Sequence, residues 1–181
     1  GFRTNRVDQI DPGEERDLIK GEFSNIGLEI RYLKEFMINS LKNVSLIGIK
    51  YYKSDSRSEQ GPGSSNKFAD FSFDYVSYPN YVNQSNYMYP NTNFAIFGEN
   101  IIYLNEKISI TPGFRAEKIK TKSEGFYKKI NLDAAGNVIY NERFDDNNTN
   151  KRSFLLFGLG FSYQLKQNFE IYANISQNYR S

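Results

Sequence analysis

One device repeats along this chain and limits what it can fold into. A short strand with alternating apolar and polar residues leads into a tiny polar turn. A second such strand follows, and then a long run rich in Asn, Ser and Asp. The device is clearest over residues 94–104, 105–107 and 108–120, and again over 153–165, 166–168 and 169–177. A period of two puts all the apolar residues of a strand on one face and the polar ones on the other. Short turns at one end of each hairpin and long loops at the other are the layout of an antiparallel transmembrane β-barrel, apolar toward lipid and polar toward its lumen.

Composition agrees. Hydrophobic residues make up 39% of the 181, yet aromatics reach 16%, all Tyr and Phe. A wholly disordered chain would be poor in aromatics. A barrel needs only half of each strand apolar and favours rings at the membrane interface. The net charge of +2 gives no electrostatic case for nucleic acid as a partner. Cys and His are both absent, which removes disulfides, thiolate metal sites and the commonest general base. Ser-His and Cys-His catalysis is excluded with them. There is no Walker-type phosphate loop either, so the chain reads as no enzyme and implies no cofactor. No apolar run approaches the length of a transmembrane helix, and residues 1–21 carry no signal-peptide core.

Six membrane-length strands in three hairpins are expected. Residues 1–20 read as loop, with Asp11-Pro12-Gly13 as turn chemistry. The first strand is 23–34, with Ile26, Leu28, Ile30 and Tyr32 on one face. A connection centred on Asn39-Ser40 leads to a returning strand over 43–53. Residues 54–91 read as a long polar loop: 56–65 cannot build a core, and Phe71, Phe73 and Tyr75 alternate as a short added strand. In the next pair, Phe94, Ile96 and Gly98 face lipid, because lipid burial of Glu99 would be costly. Pro112-Gly113 predicts a bulge or local break, since proline cannot donate to the ladder. Within a second long loop, 122–152, segments 128–132 and 137–144 flank Asp133-Ala134-Ala135-Gly136, a hairpin signal. There the strands continue beyond the membrane as a ribbon, and 145–150 form a solvated tip. Six strands are too few to close a barrel of this type, and an open edge in lipid leaves backbone groups unpaired. The chain therefore reads as a piece of a larger protein, an incomplete barrel portion that aggregates when isolated.

Two stretches carry a family resemblance. Asn93-Phe94-Ala95-Ile96-Phe97-Gly98-Glu99-Asn100, followed by Ile108-Ser109-Ile110-Thr111-Pro112-Gly113-Phe114-Arg115-Ala116-Glu117, is one. Gly158-Leu159-Gly160-Phe161-Ser162-Tyr163, followed by Glu170-Ile171-Tyr172-Ala173-Asn174-Ile175-Ser176-Gln177-Asn178-Tyr179-Arg180, is the other. Together they resemble TonB-dependent outer-membrane receptors, in particular the ferric-dicitrate type. The resemblance implies a barrel of about 22 strands in the outer membrane of a Gram-negative bacterium. It also implies an N-terminal plug that contacts the TonB complex, and uptake of a ferric chelate. The whole of 1–181 would then be barrel, with the plug absent.

On that footing Arg115 and Glu117, two residues apart on the lumen face, are candidates for ligand or plug contact, although a wall ion pair is the simpler account. Tyr78, Tyr81, Tyr87 and Tyr89 are candidates for a loop cap over a ligand. Arg57 and Lys67 are candidates to attract an anionic chelate, against the plainer reading of a solvated loop. Asp145, Asp146, Asn147 and Asn148 offer oxygen ligands, but the calcium-loop pattern with its distal Glu is missing. Two alternatives stand beside iron uptake: a receptor for another cargo, such as an oligosaccharide or vitamin B12, and a soluble or surface-attached β-sandwich adhesin.

Overall fold

A computed structural model describes residues 2–8, 15–66 and 70–179, with backbone alone for 2–8. Seven strands form one sheet in sequence order: β1 (Phe2–Asp8), β2 (Arg16–Ile38), β3 (Leu41–Gly63), β4 (Asn83–Tyr103), β5 (Ile108–Leu132), β6 (Val138–Lys166) and β7 (Phe169–Ser176). The end strands do not pair with each other, so the sheet is open. The six expected strands are β2 to β7, and no second sheet covers them among the described residues. Among the described residues no helix is long and apolar enough to cross a membrane.

The turns follow their residues. Ile38 and Leu41 are joined by Asn39 and Ser40, with φ of 47° and 63°. Positive φ at both central positions is the type I′ hairpin, whose twist matches that of the strands. Between β6 and β7, Gln167 and Asn168 have no positive φ, and the register there shifts between Gln164 and Lys166. A bulge accompanies the turn that lacks the matching twist. Between β4 and β5, the Asn105 side-chain oxygen accepts from the N–H of Lys107 at 2.8 Å and of Ile108 at 2.9 Å, an Asx turn. Asn43, fully buried, donates to the Leu41 carbonyl at 2.9 Å and accepts from the Tyr103 N–H at 2.8 Å, tying β3 to the end of β4.

The strands run 21–29 residues from β2 to β6, whereas a spanning strand needs only about 9–11. Two compact units result. The first comprises Gly1–Ile26, Lys53–Asn91 and Thr121–Asn150, and the second Gly27–Tyr52, Thr92–Lys120 and Lys151–Ser181.

In the second unit the alternation is two-sided. Ile30, Ile49, Phe94, Ile96, Phe114, Leu159 and Phe161 are all exposed. On β6 and β7 the apolar residues meet across the ladder as Leu159 with Ile175, Phe161 with Ala173, and Tyr163 with Ile171. Keeping such a face in water forgoes about 1.5–3 kcal/mol for each large side chain that burial would stabilise. An apolar face of this kind on a sheet with polar residues opposite is suited to lipid.

Several expectations are corrected. Residues 1–20 are not simply loop: Phe2–Asp8 is a strand pairing antiparallel with β2, from Phe2 opposite Phe23 to Asp8 opposite Asp17. Asp11-Pro12-Gly13 lies outside the described residues. The long polar loop shrinks to 64–82, because β3 runs on to Gly63 and β4 begins at Asn83. Phe71–Tyr75 adds no strand, only an isolated bridge between Gly63 and Phe73. Residues 56–65 do pack: Gly61, Pro62, Gly63 and Ser64 are buried, as is Leu18. Their small size is the reason. A Cβ on Gly61 would fall 2.5 Å from the Tyr75 hydroxyl, and one on Gly63 would fall 3.3 Å from the Cβ atoms of Arg16 and Leu18. Pro112-Gly113 breaks nothing: β5 is continuous. Its alternation also survives, since Gly113 lies against Glu99 Cβ and Gly160 against Thr111. The ribbon over β5 and β6 forms as expected, but its tip is 133–137, and 145–150 lie inside β6. At that tip Asp133 accepts from the N–H of Ala135 at 2.9 Å and of Asn137 at 2.8 Å, while Gly136 takes φ 83°.

Candidate functional site

The polar face of the second unit is organised around an aromatic ring. Alternation on β4 sends Phe97 to the side opposite Phe94 and Ile96. There the Arg31 guanidinium of β2 lies 5.9 Å from the ring centre and the Arg115 guanidinium of β5 lies 5.6 Å from it. Gly48 of β3 makes room, because a Cβ there would meet the ring at 2.4 Å. Arg115 is ion-paired with Glu117, whose other oxygen accepts from the Asn93 amide at 3.1 Å. Arg31 is paired with Glu29, and Lys50 lies 3.8 Å from the same carboxylate. Three cations thus share two carboxylates across β2 to β5, and a cation held against a ring face gains further attraction. The structure brings Arg115 and Glu117 together as an ion pair and leaves the Arg115 side chain partly exposed, at 35%.

The first unit has its own polar cluster. Asp17 accepts from the Tyr81 hydroxyl at 2.9 Å, and from the Gln60 amide at 3.0 Å on each oxygen. Burial, with the Asp17 hydrogen bond next, pushes the Tyr81 phenol up to about 12. Gln84, buried, donates to the carbonyls of Pro79 at 3.1 Å and Tyr81 at 2.8 Å. Tyr75 is raised to about 12 as well, first by burial and then by the charge of Glu59.

The remaining candidates separate. Tyr87 and Tyr89 lie on β4, not in a loop, and stack on each other at 5.9 Å. Tyr81 is held by Asp17 instead, so the structure gathers no single tyrosine cap from them. Burial raises the Tyr87 phenol, with the charge of Asp146 second. Arg57 donates to the Asn86 side-chain oxygen at 3.3 Å and lies 3.8 Å from Glu59. It lines a small hollow with Lys20, Glu22 and Glu59, where two cations face two anions. Lys67 lies outside the described residues. No group of three or more His, Cys, Asp or Glu is placed to hold a metal among the described residues. Phe97, Asn93, Asp17 and Gln60 were not singled out from the sequence. For Phe97 the signal was its parity, an aromatic on the polar side of an alternating strand. For Asp17 and Gln60 no local pattern exists, because their contact spans 43 residues.

A single antiparallel sheet with an exposed apolar face and a charged, ring-centred polar face defines a membrane-barrel wall. The profile of TonB dependent receptor-like β-barrels matches residues 13–181, and the chain belongs to that family. No curated protein sequence matches it. Solved structures share its fold, among them the three that follow. The ferric yersiniabactin uptake receptor FyuA from Yersinia pestis has a TM-score of 0.67 at 12% identity, over 94% of this chain and 23% of its own. The ferric citrate transporter FecA, in its unliganded form, has a TM-score of 0.56 at 19% identity, over 95% of this chain and 22% of its own. The ferric-catecholate import receptor Fiu from E. coli K12 has a TM-score of 0.59 at 12% identity, over 89% and 26%. The chain spans about a quarter of the length of these receptors.

Proposed function

We propose that this chain is part of the barrel wall of a TonB-dependent receptor that imports a ferric chelate across the outer membrane of a Gram-negative bacterium. The cargo is ferric citrate or a siderophore, with the ferric-dicitrate type of receptor as the nearest description. The observation that carries the reading is the two-sided alternation of β2 to β7 in a chain of the receptor-barrel family. The apolar side meets lipid, and the side bearing Arg31, Phe97, Arg115 and Glu117 lines the lumen. Residues 1–181 are barrel; a plug domain, formed by other residues of the protein, fills the lumen and contacts the TonB complex. The wall performs no catalysis and holds no cofactor. Its exposed charged groups, led by Arg115 with Glu117, contact cargo or plug, while Arg57, Tyr81 and Tyr87 belong to the region that cargo meets first. The test is uptake of radiolabelled ferric citrate by cells lacking their own receptors and carrying the full-length protein. Uptake that disappears when TonB is deleted supports the reading. Equal uptake with and without TonB contradicts it.

A further inference from the structure

Three lysines of the second unit, Lys118, Lys120 and Lys151, stand on its apolar side, where the apolar band ends. Parity places them. Phe114, Lys118 and Lys120 share one face of β5, and Lys151, Leu155 and Phe157 share the matching face of β6. Phe114, Leu155 and Phe157 are exposed there, and so are all three lysines. Two contacts fix the register. The Gln164 N–H donates to the Lys107 carbonyl at 2.8 Å, and Gly160 lies against Thr111. Equal steps from there along the antiparallel ladder bring Lys151 opposite Lys120. Counted from Ile108, where β5 leaves its short turn, Lys118 stands one membrane-spanning length away, about 9–11 residues. In the barrel reading that level is the outward surface of the bilayer, since the short turns mark the other side.

The charges of this cluster are not answered by the chain. No carboxylate among the described residues pairs with any of the three. None shares their face on β4, β5 or β6 within the unit either. Glu117, next to Lys118 in sequence, is on the opposite side with Arg115. Lys122, further along β5, is already paired with Glu124. Like charges directly opposite each other on a ladder are destabilising. Lys120 and Lys151 are therefore stabilised by an anion that comes from outside the sheet.

We propose that these lysines bind the headgroup of a membrane lipid that carries more than one phosphate charge, on the outside of the barrel wall. Lys120 and Lys151 bracket a phosphate across the ladder, and Lys118 adds a third cation beside them. The acyl chains lie along Phe114, Leu155 and Phe157. A lipid fits better than a free anion because the cations border directly on the apolar band. Their hydrocarbon stems rest against it while the ammonium groups reach the headgroup level. The inference rests on the barrel reading above and adds a lipid partner to it.

The test uses the full-length receptor purified in detergent, with diphosphoryl lipid A, phosphatidylcholine and inorganic phosphate as probes and native mass spectrometry as the readout. Lipid A is expected to bind in preference to phosphatidylcholine. Lys118→Gln, Lys120→Gln and Lys151→Gln should each weaken it about fivefold, the effect of one lysine at an anionic membrane surface. Lys107→Gln, at the short turn, should leave binding unchanged, and heat-modifiable gel migration should be the same in all four variants. Equal binding of the two lipids overturns the proposal, as does wild-type binding by a variant lacking all three lysines. Displacement of lipid A by inorganic phosphate would assign the cluster to the free anion and overturn the lipid site. Iron uptake measured in parallel keeps the two readings apart. A receptor that imports ferric citrate but shows no preference for lipid A sinks this inference alone. One that prefers lipid A without importing iron sustains it and sinks the iron reading.

Discussion

The guanidinium of Arg115 lies 5.6 Å from the centre of the Phe97 ring. Those two residues sit on β5 and β4, and their meeting fixes which parity of each strand is polar. Phe94, Ile96 and Phe114 must then share the other face, and a Cβ on Gly98 would fall 3.0 Å from the Phe114 ring on that side as required.

The ring also fills the space over Gly48. Gly48→Ala is expected to displace it, and overpacking of this kind costs about 1–3 kcal/mol. In a Phe97→Ala background the same substitution should cost clearly less, because the ring atoms at 2.4 and 2.8 Å are gone and only the tight contact with the Ile30 carbonyl oxygen at 3.0 Å remains. A double-mutant cycle in urea, read by gel migration of the full-length protein, measures the difference. Additive effects would show that the ring does not occupy that space.

Gly125 is a harder constraint. A Cβ there would lie 2.1 Å from the Asn86 carbonyl oxygen and 2.7 Å from Tyr87 Cα, and backbone cannot swing aside. Gly125→Ala is expected to destabilise the protein by about 3 kcal/mol or more. Gly158→Ala, whose nearest neighbour would be at 3.7 Å, should stay within about 0.5 kcal/mol of wild type. The comparison is read from urea midpoints, and equal shifts would contradict the packing described for Gly125.

Tyr81 titrates late. Its folded-state pKa of about 12 lies above the ordinary 10.0, so the folded state keeps the proton longer than the unfolded chain. The associated stability is fully present below pH 10 and is lost as pH rises from there through 12. Ultraviolet titration of tyrosinate should show two phenols, Tyr75 and Tyr81, ionising near 12, and Tyr81→Phe should remove one of these two late components and lessen the alkaline loss of stability. Disappearance of no late component in the variant would place Tyr81 in solvent instead.

The tip at 133–137 depends on an ionised carboxylate. The side-chain hydrogen bond from Asn137, followed by its backbone N–H, holds the Asp133 carboxyl below the usual 3.8. Stability from this group is therefore present above that value and is lost as pH falls through the lower folded-state value. Hydrogen exchange at Ala135 and Asn137 should lose its protection in Asp133→Ala at neutral pH, relative to wild type. Unchanged protection would mean that the backbone turn alone holds the tip.

How much of this was legible in the sequence depended on range. Hairpin turns depend on local chemistry, and Asn39-Ser40, Asn105 and Gly136 announced theirs. Alternation is equally local, so the two faces of 94–104 and 153–165 could be read from parity alone. Strand length was harder, because Gly61-Pro62-Gly63-Ser64 has the composition of a loop. Its burial comes from Tyr75, Arg16 and Leu18, which reach it from other segments. The run 145–150 failed for a related reason. Asp and Asn disfavour strands in isolation, but pairing along a long ribbon overrides propensity. The Asp17 cluster joins residues far apart in sequence and had no local mark.

The most direct test is the accessibility of β4, position by position. The chain has no cysteine, so a single substitution is its only thiol, and any cysteine elsewhere in the full-length receptor is first replaced by serine. In bilayers containing nitroxide-labelled lipid, fluorophores on Phe94→Cys and Ile96→Cys should be quenched, while Phe97→Cys and Glu99→Cys should escape quenching and react with a membrane-impermeant maleimide. Loss of that alternation, or its reversal, would contradict the assignment of this sheet as a barrel wall with Phe97 and Arg115 on its lumen side.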